Sequence, residues 1–111
     1  MKQITAIIQP HMLAKVEHAL RELAQLPGFT VLRAKGHGRP TATADGKAEL
    51  AFEEHDKLLL MMFCSDATVS QIVATISENA HTGLPGDGLI AVSEVAQVMR
   101  IRTGEHGEDA V

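Results

Sequence analysis

Hydrophobic and polar positions run through the same succession twice. ITAIIQ (residues 4–9) is rich in β-branched side chains and reads as a strand. Pro10 follows and suits the first turn of a helix, where its missing N–H leaves no bond unmade. Leu13, Val16, Leu20 and Leu23 then recur at spacings of three and four, with Lys15, Glu17, Arg21 and Glu22 on the other faces. That stripe predicts an amphipathic helix, which Pro27 and Gly28 would stop. FTVLRA (residues 29–34) reads as a second strand. KLLLMMFC (residues 57–64) opens the second round as an unbroken apolar run bounded by charge, the pattern of a buried central strand. Ser65 suits an N-cap and Asp66 the first helical turn, and Val69, Ile72, Val73 and Ile76 form the stripe of a second helix. TGLPGDG (residues 82–88) ends that helix, LIAVSEV (residues 89–95) reads as a fourth strand, and VMRIR (residues 98–102) predicts a short additional one.

The order β-α-β, a long connection, then β-α-β predicts an α+β fold, a ferredoxin-like βαββαβ sandwich with both helices on one face of the sheet. In strand one, Ile4, Ala6 and Ile8 alternate with Thr5 and Ile7, so apolar groups fall on both faces. Two helices cover only one face, which predicts an oligomer whose sheets pack together.

The connection GRPTATADGKAELAFEEHD (residues 38–56) departs from this pattern. A hairpin needs about two to five connecting residues, so a stretch this long, rich in turn residues and charge, reads as a loop that touches a partner or ligand. Glu49, Glu53 and Glu54 suggest a short helical piece within it.

Composition narrows the possible functions. With 111 residues and 45% apolar side chains, the chain suits one domain with a substantial core. A net charge of −4 and three phenylalanines as the only aromatics argue against a nucleic-acid partner. The lone Cys64 sits in an apolar run as a small hydrophobe, and a single cysteine fits a reducing compartment. The apolar run at residues 4–8 is too short for a signal peptide or membrane span, so a cytoplasmic protein without membrane insertion is expected.

Enzyme signatures are missing. No Ser-His-Asp order has local support, HExxH does not occur, and neither glycine-rich stretch continues into Lys-Ser or Lys-Thr. The six histidines form no close pair, so no metal site is predicted; His37 is singled out because glycines flank it. What remains is a set of backbone-donor loops and arginines. KGHGR (residues 35–39) and TGLPGDG offer peptide N–H groups that can approach an anion closely. RIRTG (residues 100–104) places Arg100 and Arg102 on one face if the segment is extended, and their guanidinium forks suit phosphate oxygens. Together these elements would suit a polyphosphate.

AIIQP near the start, GFTV, KGHGRP and TGLPGDGLIAVSEVAQVMRIRTGEHGEDAV closely resemble the nitrogen-regulatory P-II signalling proteins. The resemblance covers nearly the whole chain apart from the middle loop. It implies one P-II-like domain over residues 1–111, with a flexible T-loop at about 39–56 and a C-terminal tail at about 104–111. It also implies a homotrimer that binds ATP, ADP or AMP, with Mg²⁺ as a companion ion, in clefts between subunits. The T-loop would dock on a target transporter, efflux pump or enzyme. By the resemblance, Thr30 contacts adenine and Phe63 offers a main-chain contact to it. Gly36, His37, Gly38 and Arg39 form the base of the T-loop beside the phosphates. Gly86, Asp87, Gly88 and Leu89 form the phosphate loop, with Asp87 near the ribose and the turn. Arg100 and Arg102 reach the phosphates from the neighbouring subunit, and Lys57 helps to hold 2-oxoglutarate.

Departures from the family pattern carry their own expectations. Pro40 stands where the family has a glutamine that coordinates Mg²⁺ and 2-oxoglutarate. Leu89 stands where it has a phosphate-binding lysine, which predicts weaker triphosphate binding and a shift toward ADP or AMP. His37 replaces a phenylalanine. The chain has no tyrosine, so it offers no T-loop tyrosine for nucleotidylation. The alternative reading, motivated by His37 and the acidic loop, is a trimeric metal-binding or metal-tolerance protein linked to cation efflux.

Overall fold

The computed structural model of the chain describes residues 1–38, the backbone of 41–42 and 48–49, and residues 54–111. Its elements in chain order are β1 (Lys2–Ile8), α1 (Leu13–Arg21), β2 (Phe29–Gly36), β3 (Thr41–Ala42), β4 (Ala48–Glu49), β5 (His55–Cys64), α2 (Val69–Ala80) and β6 (Gly88–Glu94). β1, β2, β5 and β6 form one antiparallel sheet in the order β2-β5-β1-β6, the ferredoxin-like arrangement expected from the sequence. β3 and β4 pair separately as a two-stranded ribbon, so Glu49 lies in extended backbone rather than in the helical piece suggested for it.

Strand alternation decides the core. Ile4, Ala6 and Ile8 of β1 face the helices with Leu60, Met62 and Cys64 of β5, and all six are essentially sealed from solvent. Val16 and Leu20 of α1 and Ile72, Ile76 and Ala80 of α2 close this layer. Truncating one of the fully buried isoleucines to alanine costs about 2–5 kcal/mol in such a setting. Cys64 is a free buried thiol, and burial pushes its pKa up, which keeps it protonated and inert.

The opposite face of the sheet carries Leu32, Leu59, Ile7 and Leu89 in one row across four strands. Leu32 and Leu89 are 45% and 59% exposed. The two apolar faces read from β1 are therefore real, and the helices cover only one of them.

Three boundaries differ from the sequence reading. α1 ends at Arg21, well before Pro27, because the amides of Glu22 and Leu23 tighten onto Ala19 and Leu20 three residues back. α2 begins at Val69 rather than after Ser65. Residues 65–68 form a turn in which the Thr68 amide donates to the Ser65 carbonyl, and Asp66 binds the N-terminal ammonium at 2.9 Å. The additional strand expected at residues 98–102 is absent. Met99 makes only an isolated bridge with His106, and residues 101–103 are a turn.

Candidate functional site

Most of the residues singled out for phosphate binding gather at one end of the sheet, where β1 and β2 finish and β5 and β6 begin. TGLPGDG is held there by its own aspartate. Asp87 Oδ2 accepts from the amides of Thr82 (2.8 Å) and Gly83 (3.0 Å), and its Oδ1 accepts from the Thr82 hydroxyl. The same hydroxyl accepts from the Leu84 amide at 3.1 Å, and His81 Nδ1 lies 3.5 Å from Asp87 Oδ2. These bonds, led by that from the Thr82 side chain, hold the Asp87 carboxyl below the usual carboxylate range. Gly88 then enters β6 at φ +105°, and a Cβ there would lie 1.7 Å from the Ile7 carbonyl oxygen. No other residue lets the loop join β6 so close to β1.

Lys57, near the start of β5, crosses toward this loop. Its Nζ donates to the Gly86 carbonyl at 2.6 Å, and its stem lies against Gly36 at the end of β2. A cleft of about 660 Å³ opens beside it, lined among others by Gly36, His37, Gly38, Lys57, Gly86, Gly88 and Leu89. Its size falls within the range of small-molecule sites, roughly 300–1,000 Å³. Glycine-rich backbone and one ammonium together suit anionic oxygens.

The remaining predicted residues lie elsewhere. Thr30 pairs with Met61, and Phe63 pairs with Gln3, both with side chains on the open sheet face. Phe63 is six residues beyond Lys57 on β5, about 20 Å at roughly 3.4 Å per residue. Arg100 and Arg102 are not on one face of a strand. The Arg100 amide donates to Glu105 O (2.9 Å), and the Gly104 amide donates back to Arg100 O (2.8 Å), which curls RIRTG into a tight turn. Gly104 holds the turn at φ +75°. Neither arginine lines the cleft of its own chain. Arg39 and Pro40 lie outside the described residues.

Sequence reasoning missed Gln9, Ile7, Pro85, His55 and Asp56 as cleft residues. Gln9 carried a usable signal, because a polar residue ending an apolar strand beside a glycine loop sits at the sheet end. Asp56 carried none, since its role depends on a cross-strand partner: Lys35 Nζ binds its Oδ1 at 2.7 Å.

The sequence profile of the family described as Nitrogen regulatory protein P-II matches residues 1–105. The chain belongs to this family. It is similar over its whole length to the Nitrogen regulatory protein P-II of Azospirillum brasilense (41% identity, all of both chains) and that of Rhodospirillum rubrum (40%, all of both chains). It is also similar to Nitrogen regulatory protein P-II 1 of Methanothermobacter thermautotrophicus (40% identity, all of this chain and 97% of the relative). P-II proteins are signalling regulators rather than enzymes, and this chain is one of them. The metal-protein alternative gains no support: among the described residues no three His, Cys, Asp or Glu side chains converge as metal ligands would. His37 instead approaches Glu54, Nε2 to Oε1, at 3.8 Å. No described helix is long and apolar enough to cross a membrane.

Proposed function

We propose that the chain is a homotrimeric P-II regulator that binds an adenine nucleotide in clefts between subunits. It would control a target transporter, efflux pump or enzyme through the loop at about 39–56. The observation that carries this reading is the cleft lined by Gly36, Gly38, Gly86 and Gly88, in which the Lys57 side chain runs past Gly36 to the Gly86 carbonyl. A single subunit supplies only part of a nucleotide site, because Thr30, Phe63, Arg100 and Arg102 lie away from that cleft. A neighbouring subunit packed on the open, apolar sheet face would bring a second set of these residues to it. The exposed row around Leu32 and Leu89 favours that packing.

In this arrangement, glycine amides and the two arginines hold the phosphates, Thr30 and the Phe63 backbone hold adenine, and Asp87 shapes the loop. Leu89 brings an apolar side chain to the phosphate end, which favours ADP and AMP over ATP. Sedimentation and titration calorimetry with ATP, ADP and AMP test the proposal together. A trimer that binds ADP or AMP at least as tightly as ATP is expected. A folded trimer that gives no heat with any of the three would overturn nucleotide binding, and a monomer would overturn the shared cleft.

A further inference from the structure

A second concavity lies on the helix side of the sheet, behind the cleft. It encloses about 760 Å³ between α1 and the edge strand β2. Its apolar lining is Pro10, Leu13, Val31 and Leu58, with Arg33 and Lys35 at its polar side. Strand alternation puts Val31, Arg33 and Leu58 on this face of the sheet.

The charges are unevenly matched. Lys35 binds Asp56, Nζ to Oδ1 at 2.7 Å, whereas Arg33 acts on the same carboxylate only through space and makes no hydrogen bond or ion pair among the described residues. Lys57 also borders the groove, with its ammonium donating to the neutral Gly86 carbonyl and so keeping its charge. Arg33, Lys35 and Lys57 against the single Asp56 therefore leave the groove's rim positively charged above an apolar floor, on a chain whose net charge is −4.

We propose that this groove binds a small organic monoanion, a carboxylate with an apolar body, whose headgroup pairs with Arg33. A guanidinium fork matches the two oxygens of a carboxylate. The body lies along Val31, Leu13 and Leu58, and Val31 is already 38% exposed. Asp56 and Lys57 line both this groove and the cleft, so an occupant touches the strand that leaves the long loop. The site does not depend on the nucleotide reading.

Octanoate is the probe, titrated into the isotope-labelled full chain and followed by amide shifts, with octylammonium as the control of opposite charge. Shifts at residues 31–35, 13 and 58 with octanoate alone are expected. Arg33→Gln should weaken binding about tenfold, as for loss of one charge-assisted contact, with Arg33→Lys in between. Val31→Glu should weaken it as well, by placing a like charge beside the headgroup. Arg33 and Val31 are exposed, so these chains keep the fold, and nucleotide binding by Arg33→Gln should be unchanged. An equal response to octylammonium, or an affinity unaltered by Arg33→Gln, means adventitious adsorption to apolar surface and overturns the site. Absence of shifts at those residues overturns it too.

Discussion

The Lys57 ammonium donates to the Gly86 carbonyl at 2.6 Å and so ties the start of β5 to the glycine loop before β6. Lys57 follows the long loop, whereas Gly86 belongs to the proposed phosphate wall. The bond is therefore a direct physical link between that wall and the strand that follows the long loop. In Lys57→Met the apolar stem stays against Gly36, but the donor is lost. We expect about 1 kcal/mol lower stability, in line with a partly exposed hydrogen bond, and faster amide exchange across residues 82–88. Weaker nucleotide binding should accompany it. Unchanged exchange in the loop would mean that the bond does not hold the loop.

Asp87 gives the loop a pH dependence of definite sign. Its carboxyl titrates below the usual range because the ionised form accepts bonds from Thr82 and Gly83. A group with a depressed folded pKa binds its proton more readily in the unfolded chain. The stability it confers is thus fully present above the ordinary carboxylate pKa of about 3.9, and is lost as pH falls through the folded value. Asp56 and Asp66 are depressed as well, by Lys35 and by the N-terminal ammonium, and add to the same acid limb. Asp87→Asn should be less stable than the parent at neutral pH, with the gap closing on acidification. Urea melts between about pH 6 and pH 2 measure it. A gap that stays constant across that window would mean that the carboxylate charge is not what organises the loop.

Gly88→Ala should be among the most damaging single-methyl changes in the chain. The new Cβ would sit 1.7 Å from the Ile7 carbonyl oxygen, at a φ of +105° that L side chains rarely adopt. Steric overlap with backbone cannot be relieved by a rotamer change. A loss of about 2–5 kcal/mol follows from the combined strain and overpacking, read as a shift of the denaturation midpoint. Gly38→Ala makes a control, since a Cβ there meets nothing within 4 Å.

Where the apolar pattern had one solution, the sequence was enough. The two helical stripes and the apolar run at residues 57–64 each bury one set of side chains, and the sheet order followed from connecting them. The helix starts were harder, because Ser65 and Asp66 suit an N-cap yet are used for a turn and an ion pair with the chain's own ammonium, 65 residues away in sequence. RIRTG misled for a related reason. Its alternation is that of a strand, but its one large apolar residue, Ile101, is 95% exposed, so no buried face enforces extension. The glycines at 104 and 107, both at positive φ, decide for a turn instead. The glycine loops were legible as loops; that Lys57 bridges two of them was not, because it depends on a register between strands far apart in the chain.

The turn changes what Arg100 and Arg102 should do. On a strand they would act as an equivalent pair on one face. In the turn, Arg100 anchors both backbone bonds, to Glu105 and from Gly104, while Arg102 lies at the tip beside the exposed Ile101. Backbone bonds do not depend on the side chain, so Arg100→Ala should keep the turn and lose only its guanidinium. We expect each alanine variant to weaken nucleotide binding by about 1–3 kcal/mol, the range for a charge-assisted contact, without lowering stability. Because both arginines lie outside the cleft of their own chain, they should act on a neighbour. Mixing Arg100→Ala,Arg102→Ala subunits with Gly86→Glu subunits, whose cleft is blocked, tests this. Each parent trimer should bind poorly, and mixed trimers should recover the sites that pair an intact cleft with intact arginines. If mixing restores nothing, the arginines and the cleft must come from one chain, or the arginines take no part.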